Sequence, residues 1–360
     1  MKAVILVGGE GTRLRPLTCN IPKAMVPVLN TPLLEHIIRY LGYHQTKDII
    51  LAQSRLAQPI EGYLGDGSQF GVRLSYLIED APLGTAGAVK NAEKYLADTF
   101  LVLNGDIFTD LDITAMIGYH REKKAKATIA LTPVDDPTNY GLIETNAQGR
   151  ITHFLEKPSW SQVTTNMVNA GTYVLEPEVL AQVPPQANFS FERRLFPLLL
   201  EQDEPIYAHS SSAYWIDTGT PEKYLQLHRD LLSGKSSQYS LREEVVIGGQ
   251  SYIHPTAQLT GAIFIGNNCS IGQGVKLTGP LVIGHGCTIS EDAVIEKSII
   301  WRNTRIGRRV NLKNSIVADN CCLNDDSIIE DSVLGDDVTV VSSCKPPPGS
   351  KIQPGTTVKA

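Results

Sequence analysis

The sequence predicts two architectures in one chain: an α/β part built on a mainly parallel sheet with helices on both faces, and after it a parallel β-helix. Three observations predict them. Between residues 31 and about 200, strand-length apolar runs alternate with helix-period segments, as βαβ units do. The chain opens on a continuous apolar run, Ala3–Val7, that stops at glycines, the pattern of a strand buried on both faces and feeding a tight turn. From Ile247, the apolar residues Ile253, Leu259, Ile265, Ile271, Leu277, Ile283, Ile289 and Ile295 follow at every sixth position. That step is neither helical nor that of an ordinary strand, and it marks a coil whose short faces each turn one apolar residue to the axis.

Taken in order, Leu33, Leu34, Ile37, Ile38 and Leu41 fall at helical spacing after Pro32, and Asp48–Ala52 reads as the next strand. Val72–Ile78, Thr99–Leu103 and Ala127–Pro133 read as further strands, with helices near 85–97 and 111–124. Segments around 190–197 and 221–232 read as helices that close the first domain, residues 1–232. Ser233-Gly234-Lys235-Ser236-Ser237 opens a linker that extends to 245. The coil occupies 246–345. Past Ile295 its steps become five, six and six, so about five coils are expected, the later ones shortened by one residue at a corner. Lys345-Pro346-Pro347-Pro348-Gly349 ends the repeat, leaving 346–360 as a polar tail that is extended or partly disordered. Cys269 and Cys287, one coil apart, are expected to stack in a ladder.

The chemistry concentrates at the first turn. Gly8, Gly9 and Gly11 allow a tight turn with exposed N–H groups and close approach of a flat or phosphorylated ligand. Thr12 and Arg13 follow, with Lys23 further on; a planar guanidinium and a mobile ammonium together suit a triphosphate and its leaving group. The spacing is neither that of a Walker loop nor that of a dinucleotide fingerprint. The string Gly8-Gly9-x-Gly11-Thr12-Arg13-Leu14-x-Pro16-Leu17-Thr18, with Pro22-Lys23, instead resembles the signature loop of the sugar-1-phosphate nucleotidyltransferases. That family couples a Rossmann-like catalytic domain, in many members, to a left-handed β-helix, so the resemblance covers nearly the whole chain.

The resemblance implies roles for later motifs. Glu79, Pro82, Gly84 and Thr85 fall in the segment that reads the nucleotide base in the family. A carboxylate at 79 accepts hydrogen bonds only and so matches the paired donors of guanine, where uracil or thymine favours Gln; Asp80 is the alternative in a register shifted by one. Asp106, at the tip of Leu101-Val102-Leu103-Asn104-Gly105, and Asp217, in Tyr214-Trp215-Ile216-Asp217, map onto the metal pair. Two carboxylates plus phosphate oxygens suit Mg²⁺. Gly141, Glu156, Lys157, Asn169 and Gly171 lie in motifs of the sugar-phosphate half: hydroxyl partners, close backbone and a cation. The implied reaction joins a nucleoside triphosphate and a sugar 1-phosphate, with GTP and mannose 1-phosphate the first choice of substrates. A glucose-1-phosphate uridylyl- or thymidylyltransferase and a non-catalytic sugar-nucleotide-binding relative are the alternatives. An acyltransferase built on the coil is less well supported, because the repeats carry His254 and His285 but no long inserted loop.

Composition narrows the partners. A net charge of −6 over 360 residues argues against nucleic acid and anionic membranes. No apolar stretch has the length of a membrane span or signal core, so a cytoplasmic location is expected. The six cysteines show neither zinc spacing nor a disulfide framework, which predicts reduced, structural thiols. The flat face of a coil stacks readily on a copy of itself, so a homo-oligomer is expected.

Overall fold

A computed structural model describes residues 1–54, 58–239 and 243–359. Residues 240–242 of the expected linker lie outside the described residues. The chain forms two compact units, Met1–Gly9 with Leu34–Trp215, and Glu10–Leu33 with Ile216–Ala360.

The first unit holds a nine-stranded mixed sheet. Its strands are β1 (Lys2–Leu6), β2 (Asp48–Ser54), β3 (Arg73–Glu79), β4 (Phe100–Asn104), β5 (Ala127–Pro133), β6 (Gly141–Thr145), β7 (Ile151–Glu156), β8 (Met167–Leu175) and β9 (Ile206–Ser210). The order is β7-β6-β8-β4-β1-β2-β3, and β5 lies between β8 and β9. One half meets the parallel expectation. Leu6 faces Ala52 on one side and Asn104 on the other, both in parallel register, and β3 extends that block. The other half is mostly antiparallel: β6 pairs antiparallel with both β7 and β8, β8 also pairs antiparallel with β4 and β5, and only β9 runs parallel to its neighbour β5. The reason is local: Asn146 folds its side chain onto the N–H groups of Gln148 and Arg150, closing a connection too short for a helical crossover. Helices α1 (Leu33–Tyr43), α2 (Gly84–Asn91) and α3 (Ile113–Lys123) occur where helical spacing predicts them, α2 ending short of 97 in a 3₁₀ turn at Glu93–Tyr95. The expected helix at 190–197 begins as a π-helical turn, Phe191–Leu195. Val4, Val102, Phe100, Tyr173, Phe191 and Phe196 belong to one core beneath the sheet.

In the second unit, helix α4 (Pro221–Leu232) has the expected bounds; Thr220 caps its start and Pro221 occupies a first-turn position where no N–H is needed. The remainder is a left-handed β-helix of three parallel sheets, with seven strands on each of two faces and five on the third. Five complete coils result, with two further strands on each of two faces. Early coils repeat at 18 residues, as in Ile263 against Leu281, and later ones at 17, as in Ile295 against Leu312, so the shortened corners are real. Asn303, Asn320 and Asp337 sit at matching corners with positive φ, where short polar side chains tolerate the left-handed region. The tail departs from expectation. Lys351–Ile352 and Thr357–Val358 pair in parallel with Val333–Leu334 and Thr339–Val340, so residues past 346 continue the coil rather than trailing from it. Pro346–Gly349 interrupts the six-residue step without ending the stacking, because the strands after it still offer Ile352 and Val358 to the axis.

Candidate active site

In the first unit the carboxyl ends of β1 and β4 carry adjacent groups. Gly105 donates its N–H to Leu6 O at 2.9 Å, and a Cβ there would lie 2.8 Å from that oxygen, so only glycine lets the chain turn so close to β1. Asp106 follows at the same strand end that Gly8 and Gly9 leave. This is the edge at which parallel sheets bind ligands.

The segment expected to read the base is built differently from a plain helix N-terminus. Phe189 O accepts the N–H groups of Ala86 and Gly87 at 2.9 and 3.0 Å, so the first turn of α2 already has its acceptor. Thr85 accepts from Phe191 N–H and donates to Glu192 Oε2, at 2.9 Å in each case. Gly84 has φ +69°, and a Cβ would stand 2.8 Å from Phe189 O. What remains of the predicted segment for a ligand is the turn before the helix. There Glu79 accepts the Leu83 N–H at 3.2 Å, and Asn188 donates to Pro82 O at 3.0 Å. Burial raises the Glu79 carboxyl above its ordinary pKa, and the Leu83 hydrogen bond partly offsets that.

The residues expected to bind the sugar phosphate lie on the antiparallel strands β6, β7 and β8 and at their ends. Glu156 pairs with Gly141 across β7 and β6, and a Cβ on Gly141 would lie 3.0 Å from Glu156 Oε2. Lys157, in the left-handed region at φ 52°, donates its N–H to Tyr140 O at 3.0 Å. In β8 the pairing with β5 slips between Asn169 and Tyr173. Within that irregularity Gly171 has φ +69°, where a Cβ would lie 2.5 Å from Ile107, and its N–H donates to Asn169 Oδ1 at 2.9 Å. Asn169 also donates to the hydroxyl of fully buried Tyr173 at 2.9 Å, and that hydroxyl donates to Glu192 Oε1 at 3.1 Å. Glu192 therefore joins Thr85 to Asn169 through its two oxygens. Sequence reasoning passed over it, reading Ser190-Phe191-Glu192 as a helix start only. Burial first, and the Glu192 charge second, raise the Glu156 carboxyl; Lys157 and Arg193 oppose that.

In the second unit the cations gather on Asp217, which is buried at 9 % exposure. Lys23, buried at 8 %, donates to its Oδ1 at 3.4 Å. Arg13 Nη2 and Lys223 Nζ stand 3.9 and 4.0 Å from Oδ2. Gly219 makes this possible, since a Cβ there would lie 2.9 Å from Arg13 Nη2 and 3.0 Å from both Asp217 oxygens. Gly11, at φ +61°, is held by Thr18, whose hydroxyl donates to its carbonyl at 2.7 Å; Thr12 starts the 3₁₀ turn that carries Arg13. Lys223 is the second residue missed. Its signal was the Thr220-Pro221 start of α4, which sets residue 223 in the first turn of a helix that begins four residues after Asp217. A side-chain carboxylate is an oxygen donor of the kind a hard divalent ion takes, so the donor chemistry of Asp217 fits a metal ligand. Among the described residues there is no cluster of three or more His, Cys, Asp or Glu side chains that could hold a metal ion.

Comparison with known proteins places the chain among its relatives. Residues 259–358 match a model described as the GMPPB C-terminal domain. A mannose-1-phosphate guanyltransferase of Pichia angusta is 37 % identical over all of this chain and 97 % of its own. A UTP–glucose-1-phosphate uridylyltransferase of Synechocystis is 35 % identical over 90 % of this chain and 89 % of its own. The crystal structure of HddC from Yersinia pseudotuberculosis superposes with a TM-score of 0.55 at 33 % identity, covering 63 % of this chain and 97 % of that one. Residues 2–234 match the model described as nucleotidyl transferase, so the chain belongs to the nucleotidyl transferase family.

Proposed function

We propose that this nucleotidyltransferase joins GTP to mannose 1-phosphate, giving GDP-mannose and pyrophosphate. The observation that carries the choice of base is Glu79. Its half-buried carboxylate is tied to the turn at Leu83, and as an acceptor it complements the N–H donors of guanine. The full-length likeness to a mannose-1-phosphate guanyltransferase and the match to the GMPPB C-terminal domain support the same choice. The likeness to a uridylyltransferase keeps UTP with glucose 1-phosphate as the second reading.

A phosphate oxygen of the sugar 1-phosphate attacks the α-phosphorus; the bond to the β-phosphate breaks and pyrophosphate leaves with its electron pair. The sugar phosphate brings an ionised nucleophile, so the protein's work is positioning and charge neutralisation. Gly8, Gly9, Gly11 and Thr12 offer backbone to the triphosphate. Arg13 and Lys23 neutralise the α-phosphate and the departing pyrophosphate. Lys157 aims the attacking phosphate, while Glu156 and Asn169 bind sugar hydroxyls beside the open backbone of Gly141 and Gly171. Asp106 and Asp217 would hold Mg²⁺, which would spread positive charge over the phosphate oxygens. We place the enzyme in the cytoplasm as a homo-oligomer; among the described residues no helix is long and apolar enough to cross a membrane.

The test is pyrophosphate release with Mg²⁺ across GTP, ATP, UTP, dTTP and CTP against mannose, glucose and N-acetylglucosamine 1-phosphates. GTP with mannose 1-phosphate is expected to dominate, and Glu79→Gln to cut the GTP over UTP preference by about 10-fold or more. Dominant UTP in the wild-type protein would overturn the choice of base and keep the reaction; silence throughout would favour a non-catalytic binder.

A further inference from the structure

We propose that the β-helix is the frame that positions Lys23, and that Asp336 and Trp301 are positioning residues of the reaction. This rests on reading Lys23 as a phosphate-binding cation. The segment Glu10–Leu33 belongs to the same compact unit as the coil, and it is tied to the coil on both sides of Lys23. Three residues before the lysine, Asn20 Nδ2 donates to Asp336 Oδ2 at 2.8 Å. Asp336 is itself buried at 8 % exposure, and its other oxygen accepts the Asp319 N–H at 3.1 Å, so the carboxylate is fixed from two sides.

Four residues after the lysine, the hydroxyl of fully buried Tyr224 donates to Pro27 O and accepts the indole N–H of Trp301 at 3.0 Å. Beyond it, the hairpin Pro27–Val28 with Thr31–Pro32 turns through Leu29 and Asn30, both at positive φ. A buried leucine is costly in that region, so the turn needs outside support. It has two supports. Asn30 donates to Ile283 O of the coil at 2.8 Å, and His228 Nε2 accepts the Leu29 N–H at 3.2 Å while its Nδ1 hydrogen bonds to Tyr224 O at 2.9 Å. Those two bonds define a neutral His228 carrying its proton on Nδ1.

Lys23 thus sits between anchors, buried, with its ammonium 3.4 Å from Asp217. A buried, long side chain keeps one position only if its backbone does, and small misplacements in charge-neutralising groups are expensive in rate. The coil supplies that constraint through side chains far along the sequence, which gives it a part in turnover besides any role in assembly.

Reversing the polarity of one anchor tests this. Asn20→Asp sets two carboxylates against each other and is expected to lower kcat/KM for the nucleotide about 10-fold. Asp336→Asn alone is expected to change little, because its amide oxygen keeps the Asp319 N–H and its NH₂ can donate to the Asn20 oxygen once the Asn20 amide turns over. In the double variant Asn20→Asp with Asp336→Asn, the new amide can donate to the new carboxylate while its oxygen keeps the Asp319 N–H. Recovery to within about 3-fold of wild type is expected, with KM for the sugar phosphate constant throughout. Trp301→Phe keeps ring bulk, removes the N–H and should lower kcat without help from Asn20. Wild-type kinetics in Asn20→Asp, no recovery in the double variant, or unchanged kcat in Trp301→Phe would each overturn the proposal. Lys23→Ala in the same assay separates the two failures. Full activity there removes the phosphate role of Lys23 and this inference with it, whereas an inactive Lys23→Ala beside an unrescued swap removes the anchoring alone.

Discussion

Glu192 shows how one carboxylate can set the chemistry of another. Its oxygens are already engaged by Thr85, Ser190 and Tyr173, yet its charge still reaches Glu156 and adds to the effect of burial there. The raised Glu156 carboxyl therefore loses its charge, and with it its capacity as a pure acceptor, at a higher pH than an ordinary glutamate would. The sign follows directly. Above the raised pKa Glu156 is ionised and, in its proposed role, accepts from sugar hydroxyls; as pH falls through it, KM for the sugar phosphate is expected to rise. Glu192→Gln removes one of the two causes while keeping the volume, so the acidic limb of that profile is expected to move to lower pH. The sugar phosphate titrates with a pKa of about 6 itself, but identically in both proteins, so the difference between the two profiles isolates Glu156. An acidic limb at the same pH in both proteins would show that Glu156 is not the group being titrated.

At the scale of elements, the coil is held by a polar ladder inside its apolar axis. Ser251, Cys269, Cys287, Thr304 and Cys321 each donate from one corner to a carbonyl of the next coil, Gly266, Gly284, Trp301, Ala318 and Gly335 in turn. Each bond satisfies a buried carbonyl, and small donors of similar volume can take turns in the same position. The stacking of Cys269 and Cys287 could be read from their spacing of one coil; Thr304 could not, because nothing in the six-residue rule separates an inward hydroxyl from an outward one. Burial pushes the Cys287 and Cys321 thiols up to about 12. Since the thiolate is the reactive form, a disulfide reagent at pH 8 is expected to label exposed Cys19 promptly and to reach Cys269, Cys287, Cys321 and Cys344 only on unfolding. Labelling of Cys321 at the Cys19 rate would mean that the later coils open locally in the native state.

For the whole molecule, what the sequence made legible was whatever repeats or is contiguous. The six-residue period, the first βαβ units and the glycine string each carry their signal within a few tens of residues. The antiparallel half of the sheet did not show, because a strand's apolar run is the same in either direction. Glu192, Lys223 and the ties from the coil to residues 20–30 did not show either, because they join positions distant in sequence. The tail was misread for a third reason: Pro346–Gly349 looks like an ending, and the pairing that continues past it is visible only in space. Its role can be tested by stopping the chain after Lys345. Ile352 and Val358 would no longer cover the last coil, and the bonds from Gly335 N–H to Ile352 O and from Gly355 N–H to Asp336 O, at 2.9 and 2.8 Å, would be lost. Two partly buried apolar side chains are worth roughly 2–4 kcal/mol, so the shortened chain is expected to unfold several degrees lower. Because Asp336 loses a neighbour that braces its backbone, kcat is expected to fall as well, although no residue that touches substrate has been removed. Thermal unfolding and pyrophosphate release measured on the same preparation decide both points. An unchanged Tm would mean that the last turn is ornamental, and a lowered Tm with unchanged kcat would confine its effect to the end of the coil.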